Sequence, residues 1–292
     1  MLIISVSGKG KLMSIKRDNL MTKTYVITGS TSGIGKAVLE KLSAKKDNLI
    51  FAGYRNEKKL PEQIPDNVKY FYIDMTDRDS VIKACENIKS QTKHVDTLIN
   101  VAGNVVAGPI EKIDTQRLRA QFEVNTFSHI ELTQNLMDIL DNSKIINISS
   151  MSSFGNFPFI SPYCASKRAL DIFFNALELE NHKNIRVISV KPGVIATPIW
   201  EKSVSANLEY LENCDGYEKE LEFVKNNALK NTQKGLPVSR VADLIVKIDA
   251  LRNPKSSYTV GKDAKFAQIL SLLPQGAINK IIKFGMKYRM DL

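Results

Sequence analysis

The chain of 292 residues is 43% hydrophobic and 25% charged, the balance of an ordinary globular protein, which excludes collagen-like, disulfide-scaffold and largely disordered architectures. Lys and Arg total 41 against 31 Asp and Glu, a formal charge of +10, which suits nucleic acid, an acidic membrane surface or a phosphorylated small molecule without choosing among them. No apolar run reaches the roughly 18 to 20 residues of a membrane span, and Cys85, Cys164 and Cys214 form no pair at metal-ligand spacing, so a soluble, cytoplasmic protein with reduced thiols is expected.

Residues 1–21 carry neither a sustained helical period nor a strand pattern and read as a flexible extension. From Tyr25 onward, β-rich runs alternate with helical patterns. The strand candidates are Tyr25–Thr28, Leu49–Tyr54, Val68–Ile73, Thr97–Val101, Lys144–Ile148 and Ile185–Val190, and helices begin near Ile34, Arg78, Gln116 and Pro162. Repeated strand then helix predicts a parallel sheet covered on both faces, with ligands at the carboxyl ends of the strands. No repeat or linker divides the chain, so residues 22–292 are expected to form one α/β domain. Residues 198–238 read as a helical insertion with interleaved apolar and charged positions. In the tail, residues 272–292, Ile278, Ile281 and Ile282 share one helical face while Lys280, Lys283 and Lys287 lie elsewhere. Such a basic amphipathic helix can lie on an anionic membrane, close over the insertion or dock on a partner subunit.

The first strand runs into Thr28-Gly29-Ser30-Thr31-Ser32-Gly33-Ile34-Gly35. Glycines there let a pyrophosphate approach the backbone while the amides of the following helix face the anion; taken alone, a plain loop would have the same composition. About 20 residues further on, where an adenosine ribose meets the end of the second strand, stands Arg55, preceded by Tyr54. A guanidinium suits a 2′-phosphate where an NAD-selective site would carry a carboxylate, so NADP is expected over NAD; a solvated surface arginine is the alternative. Tyr163 and Lys167 are four apart on a helical segment and therefore neighbours on one face. An adjacent ammonium favours a phenolate, so Lys167 is expected to lower the Tyr163 pKa, although spacing alone permits a surface coincidence.

These residues resemble the short-chain dehydrogenase/reductase family, whose TGxxxGxG turn falls at Thr28–Gly35 and whose YxxxK signature falls at Tyr163–Lys167. Asp74, Asn100-Val101-Ala102-Gly103, Asn125, Ser150 and Pro192-Gly193 followed by Thr197 complete the pattern in order, and the tail, residues 272–292, resembles that of the steroid- and retinol-type members. The resemblance implies a Rossmann-type doubly wound parallel sheet with a helical lid over the substrate. It implies Tyr163 as general acid/base, Lys167 on the nicotinamide ribose, Ser150 on the reacting oxygen and Asn125 holding a relay water. Asp74 would meet the adenine edge, Asn100 and Gly103 the adenosine side, and Pro192, Gly193, Val194 and Thr197 the nicotinamide end. Val101 departs from the family's NNAG.

The expected activity is NADP-dependent hydride transfer between nicotinamide C4 and a carbonyl or secondary alcohol, the protein orienting the cofactor. The substrate is expected to be apolar, from the insertion and from Phe154, Phe157 and Phe159. A non-catalytic NADP-binding sensor is the alternative; it has no need of Ser150, Tyr163, Lys167 and Asn125 together. A homo-oligomer, dimer or tetramer, is expected. No metal is expected, since His94, His129 and His182 lack ligand spacing, and no nucleic acid, since no binding motif gathers the basic residues.

Overall fold

A computed structural model describes residues 22–212 and 214–290; the expected extension at 1–21 lies outside them. Seven strands, β1 (Thr24–Ile27), β2 (Leu49–Tyr54), β3 (Val68–Tyr72), β4 (Thr97–Asn100), β5 (Lys144–Ile148), β6 (Arg186–Pro192) and β7 (Ser257–Val260), form one parallel sheet in the order β3-β2-β1-β4-β5-β6-β7. The helices are α1 (Gly33–Ser43), α2 (Arg78–Gln91), α3 (Thr115–Phe122), α4 (Ser128–Leu136), α5 (Ser161–Glu180), α6 (Ile199–Glu212), α7 (Glu218–Lys234), α8 (Val238–Ala250), α9 (Lys262–Leu270) and α10 (Gln275–Met290).

The strands are near-continuous apolar runs because a parallel sheet is buried on both faces. Successive residues serve opposite layers. Val26, Phe51, Leu98, Ile145 and Val187 pack with Val81 and Ile88 of α2, Leu132 and Leu136 of α4, and Leu170 and Phe174 of α5. Their neighbours Tyr25, Ile27, Ile50, Ile99 and Ile146 pack with Val38 and Leu42 of α1 and Val241, Ile245 and Ile248 of α8. At about 1.5–3 kcal/mol for each large side chain fully buried, these two layers hold the strands side by side and leave their ends outside the packed core.

The amino ends of the central strands are closed by Asp249 at the end of α8. Its carboxylate accepts from Lys23 Nζ (2.8 Å), Tyr25 OH (2.9 Å) and Thr97 Oγ1 (2.6 Å), and its carbonyl accepts from Lys144. The sheet order reverses at β1, between β2 and β4, and the crevice at the carboxyl ends of β1 and β4 is where the glycine-rich turn lies.

Three elements, α8, β7 and α9, go beyond the expected set. β7 has only four residues, Ser-Tyr-Thr-Val, with none fully buried, so neither apolar runs nor alternation marked it; it becomes a strand through pairing with β6.

Candidate functional site

The turn after β1 is shaped by two left-handed glycines, Gly29 (φ 64°) and Gly33 (φ 54°), a conformation side chains rarely adopt. A Cβ on Gly29 would approach the Ala102 backbone to 3.1 Å, and one on Gly35 would strike the Gly29 carbonyl. The turn is thus packed as tightly as backbone allows, and Gly29, Ser32, Gly33 and Ile34 line a cavity with Gly103, Ser150, Tyr163, Lys167, Pro192, Gly193 and Thr197. Ser32 stands at the N-cap of α1 with no capping bond from its side chain, leaving the first amides of the helix open to an anion.

Not every expected residue reaches this cleft. Ser30 is buried and its hydroxyl donates to the Gly53 carbonyl (2.9 Å), bracing the turn from behind. Asn100 is also buried, donating to Asn147 Oδ1 (2.8 Å) across β4 and β5. It fixes the strand pair, and Val101, Ala102 and Gly103 form the cleft wall in its place. Val194 has both backbone groups engaged inside the protein: its N–H donates to Asp263 Oδ2 (2.6 Å) and its carbonyl accepts from Leu236 (2.9 Å). Ile195 lines the cleft in its place. Asp263, at the start of α9, also occupies the space a side chain at Gly193 would need; it lies in an element outside the expected set.

At the β2 side of the cleft, Gly29, Thr31 and Ser32 meet Tyr54 at the end of β2, Arg55 and Lys59 beyond it, and Lys202 from α6. Arg55 is exposed, with Asp74 4.0 Å away. The Asp74 carboxylate accepts from the Thr76 amide and hydroxyl (2.9 and 2.8 Å), at the rim of the cleft rather than in its wall.

At the other end, Ser150 and Tyr163 are buried together. Burial pushes the Tyr163 phenol up to about 12, with hydrogen bonding to Ser150 opposing it. This reverses the expected direction. The Lys167 ammonium, itself brought down to about 8 by burial with Asp171 opposing, donates to the Ile148 carbonyl (2.9 Å), so desolvation governs the phenol. Asp171 in turn forms a buried ion pair with Lys191 (2.7 Å), whose ammonium lies 4.6 Å above the Phe154 ring; Phe154 is thereby tied to β6 and faces an outer cavity. Asn125 lies in a π-helical turn, Glu123–Phe127, a distortion found mostly at functional sites. Its side chain accepts from the Asn104 amide (2.9 Å) and donates to the Asn104 carbonyl and Ser166 Oγ (both 3.0 Å).

Beside Ser150 opens an apolar cavity of about 500 Å³, walled by Phe157, Phe159, Val194, Trp200, Val204 and Phe223 and by Ile282 and Met286 of α10. Phe159 sits at φ 65°, strained for a bulky residue, and its carbonyl accepts from the Gly108 amide (2.8 Å). The tail helix therefore turns one face onto this cavity.

A sheet of this order, with a glycine turn at its switch point and Ser150, Tyr163 and Lys167 at one end of the crevice, has counterparts. The family model for short chain dehydrogenase matches residues 23–208. The chain belongs to the short-chain dehydrogenase family. It is 33% identical over 277 residues to an NADPH-dependent 3-dehydrocapnine reductase of Ornithobacterium rhinotracheale, covering 90% of this chain and 96% of that protein. A 3-ketodihydrosphingosine reductase of Bacteroides thetaiotaomicron is 27% identical over 272 residues, 90% and 98% of the two chains. A short-chain dehydrogenase from Streptomyces avermitilis superposes with a TM-score of 0.73 at 21% identity over 92% of this chain and 97% of that one. The chain is thus an oxidoreductase of a family that binds NAD(P) and acts on small molecules.

Proposed function

We propose that this short-chain dehydrogenase uses NADPH to reduce a ketone, or in reverse oxidises the secondary alcohol, on a substrate with a long apolar portion. The observation that carries the reading is the adjacency of the two spaces: the apolar cavity and the nicotinamide end of the cleft share Trp200 as a common wall. The names of the two relatives, one an NADPH-dependent reductase and one a reductase of a sphingosine ketone, agree with it.

The residues fit a dinucleotide. The glycine cradle has no room for side chains, and cations gather at the adenosine end. Gly29, Thr31, Ser32, Gly33 and Ile34 would hold the pyrophosphate, Arg55 the 2′-phosphate, Asp74 the adenine edge, and Gly103, Pro192, Gly193, Ile195 and Thr197 the nicotinamide side. NADPH, when bound, supplies the hydride. Ser150 orients the substrate oxygen and donates where negative charge grows, and Tyr163 gives its proton to that oxygen. A phenol held well above neutrality is fully protonated before reaction, which suits a proton donor. Lys167 holds the ribose, and Asn125, in its π-turn, holds the relay water.

Helices α6 and α7 form the lid and α10 its outer wall. Beyond that wall Phe266, Ile269, Leu272, Leu273 and Ile281 are exposed, Leu272 to 82%, among Lys262, Lys265, Lys280 and Lys283. We assign this surface to peripheral contact with an anionic membrane; among the described residues no helix is long and apolar enough to cross one. Exposed Phe127, Ile172 and Phe173 beside α4 and on α5 are the surface for a homo-oligomer. The protein would act in the cytoplasm, at the membrane face.

The test is NADPH oxidation, followed by absorbance, with saturated ketones of increasing chain length, each repeated with NADH. Rising kcat/KM with chain length, and preference for NADPH, are expected. Equal rates for short and long ketones would remove the assignment of the cavity to an apolar chain.

A further inference from the structure

Lys202, on the second turn of the lid helix α6, lies away from both signature motifs, yet it lines both the cavity of Ser150 and Tyr163 and the adenosine end of the cleft. Its Nζ is 3.5 Å from Ser32 Oγ. Across the same space stand Lys59 and Arg55, and their charges, after desolvation, act to drive a proton from Lys202, lowering its pKa. Among the described residues neither Lys59 nor Lys202 pairs with a carboxylate, and Asp74, 4.0 Å from Arg55, is the acid facing the cluster. Four cations line this space; Arg117 donates to Asn207, and the other three, Arg55 and Lys59 from the segment after β2 and Lys202 from the lid, repel one another unless an anion joins them.

The lid helix is also held in register with the sheet. Ser203 donates to the Val105 carbonyl (3.0 Å), Asn207 donates to the same carbonyl (3.2 Å), and Trp200 Nε1 donates to the Ile195 carbonyl (3.0 Å). A single turn of α6 therefore carries Trp200, Ser203 and Val204 into the apolar cavity and Lys202 toward the nucleotide.

We propose that Lys202 is the lid's phosphate clamp: with Arg55 and Lys59 it binds the 2′-phosphate of the cofactor and so ties the substrate-facing turn of α6 to NADPH rather than NADH. This rests on the NADP reading above. The turn that recognises the phosphate is the turn that walls the substrate cavity, so cofactor discrimination and substrate affinity are linked through one residue.

The experiment is calorimetric titration of the full chain with 2′,5′-ADP and with 5′-AMP, which lacks only the 2′-phosphate, at fixed ionic strength, for the parent, Lys202→Met, Lys202→Arg and Arg55→Ala. A charge-assisted bond to phosphate corresponds to roughly 10- to 100-fold in affinity, and for an exposed lysine sharing its anion the lower end is expected. Lys202→Met should weaken 2′,5′-ADP about tenfold and leave 5′-AMP unchanged, with Lys202→Arg restoring most of the loss. Ketone KM measured with NADPH should rise in Lys202→Met, and with NADH it should not. Equal weakening of both nucleotides would place Lys202 on the 5′-phosphate they share, and no weakening of either would leave it a surface lysine; each overturns the clamp. If Arg55→Ala selectively weakens 2′,5′-ADP while Lys202→Met does not, the NADP reading stands and the clamp falls. If the parent binds both nucleotides equally, the NADP reading itself falls.

Discussion

Burial brings the Lys167 ammonium down to about 8, and with Lys167 in its proposed place on the ribose this makes cofactor binding dependent on pH in a calculable way. The ammonium is completely enclosed. With that value roughly nine-tenths of the free protein carries the charge at pH 7 and about one-tenth at pH 9. If only the charged form holds the ribose, the NADPH dissociation constant should be flat below pH 7, inflect near pH 8 and rise about tenfold per unit above it. The rise should level off once it reaches roughly 10- to 100-fold, the worth of one charged hydrogen bond. Quenching of the single tryptophan, Trp200, which lines the cleft, gives the dissociation constant directly from pH 6 to pH 10. Lys167→Met is the control, because Lys202 is also shifted downward and would titrate in both proteins. A parent curve without the inflection, or one reproduced by Lys167→Met, would refute the reasoning.

Tyr163→Phe removes the proton donor alone, so turnover should fall by ~10² to 10⁴ while tryptophan quenching reports an unchanged NADPH dissociation constant. Asp263→Ala frees the Val194 amide and opens space over Gly193. NADPH should then bind several-fold more weakly by the same quenching assay, and Asp263→Asn, which keeps an acceptor, should recover part of the loss. Asp249→Ala leaves Lys23, Tyr25 and Thr97 without their acceptor; a buried charge-paired group is worth about 3 kcal/mol, read as a lower urea midpoint with kcat intact. Burial raises the Asp249 pKa, but the bonds from Lys23 and Thr97 outweigh it and the net shift is downward. Its contribution is therefore complete above the ordinary carboxylate range and is lost as pH falls below it, so the parent and the variant should converge in stability under acid.

The parallel sheet was legible because its central strands are buried on both sides, and a run such as Lys144–Ile148 has no other plausible use. The glycine turn and the Tyr163–Lys167 pair were legible for a related reason: a pyrophosphate and a tuned phenol demand particular residue types at fixed spacing. Orientation was not. Asn100 and Val194 stand in motif positions, yet one is spent on Asn147 and the other on Asp263 and Leu236, because a motif fixes a backbone path and leaves open which face each amide presents. The direction of the Tyr163 shift failed similarly, since proximity in sequence gave the lysine charge but not the burial that outweighs it. Val238–Ala250 had an audible signal, with Val241, Ala242, Ile245 and Ile248 at helical spacing. Lys202 had none, because its partners lie far off in the chain, at Ser32, Arg55 and Lys59.

The two ends of the sheet treat charge in opposite ways, and that contrast bears on function. At the amino ends, Asp249 gathers Lys23, Tyr25 and Thr97 into a closed set, and each polar group there is answered within the protein. At the carboxyl ends, Arg55, Lys59 and Lys202 face one another across open space, while Lys167 donates to a backbone carbonyl with Asp171 as the carboxylate favouring its charge. A chain selected for stability alone would pair or dilute those cations, since like charges in proximity cost free energy. The cost is tolerable because the apolar layers on α2, α4 and α5 and on α1 and α8 lie on either side of the strands and do not depend on their carboxyl ends. An anionic ligand entering the cleft relieves the repulsion and binds the folded state alone, so its affinity adds to stability by linkage. On the proposed reading, cofactor binding would therefore stabilise the folded chain by linkage, with the Lys202 turn of α6 as one point of contact.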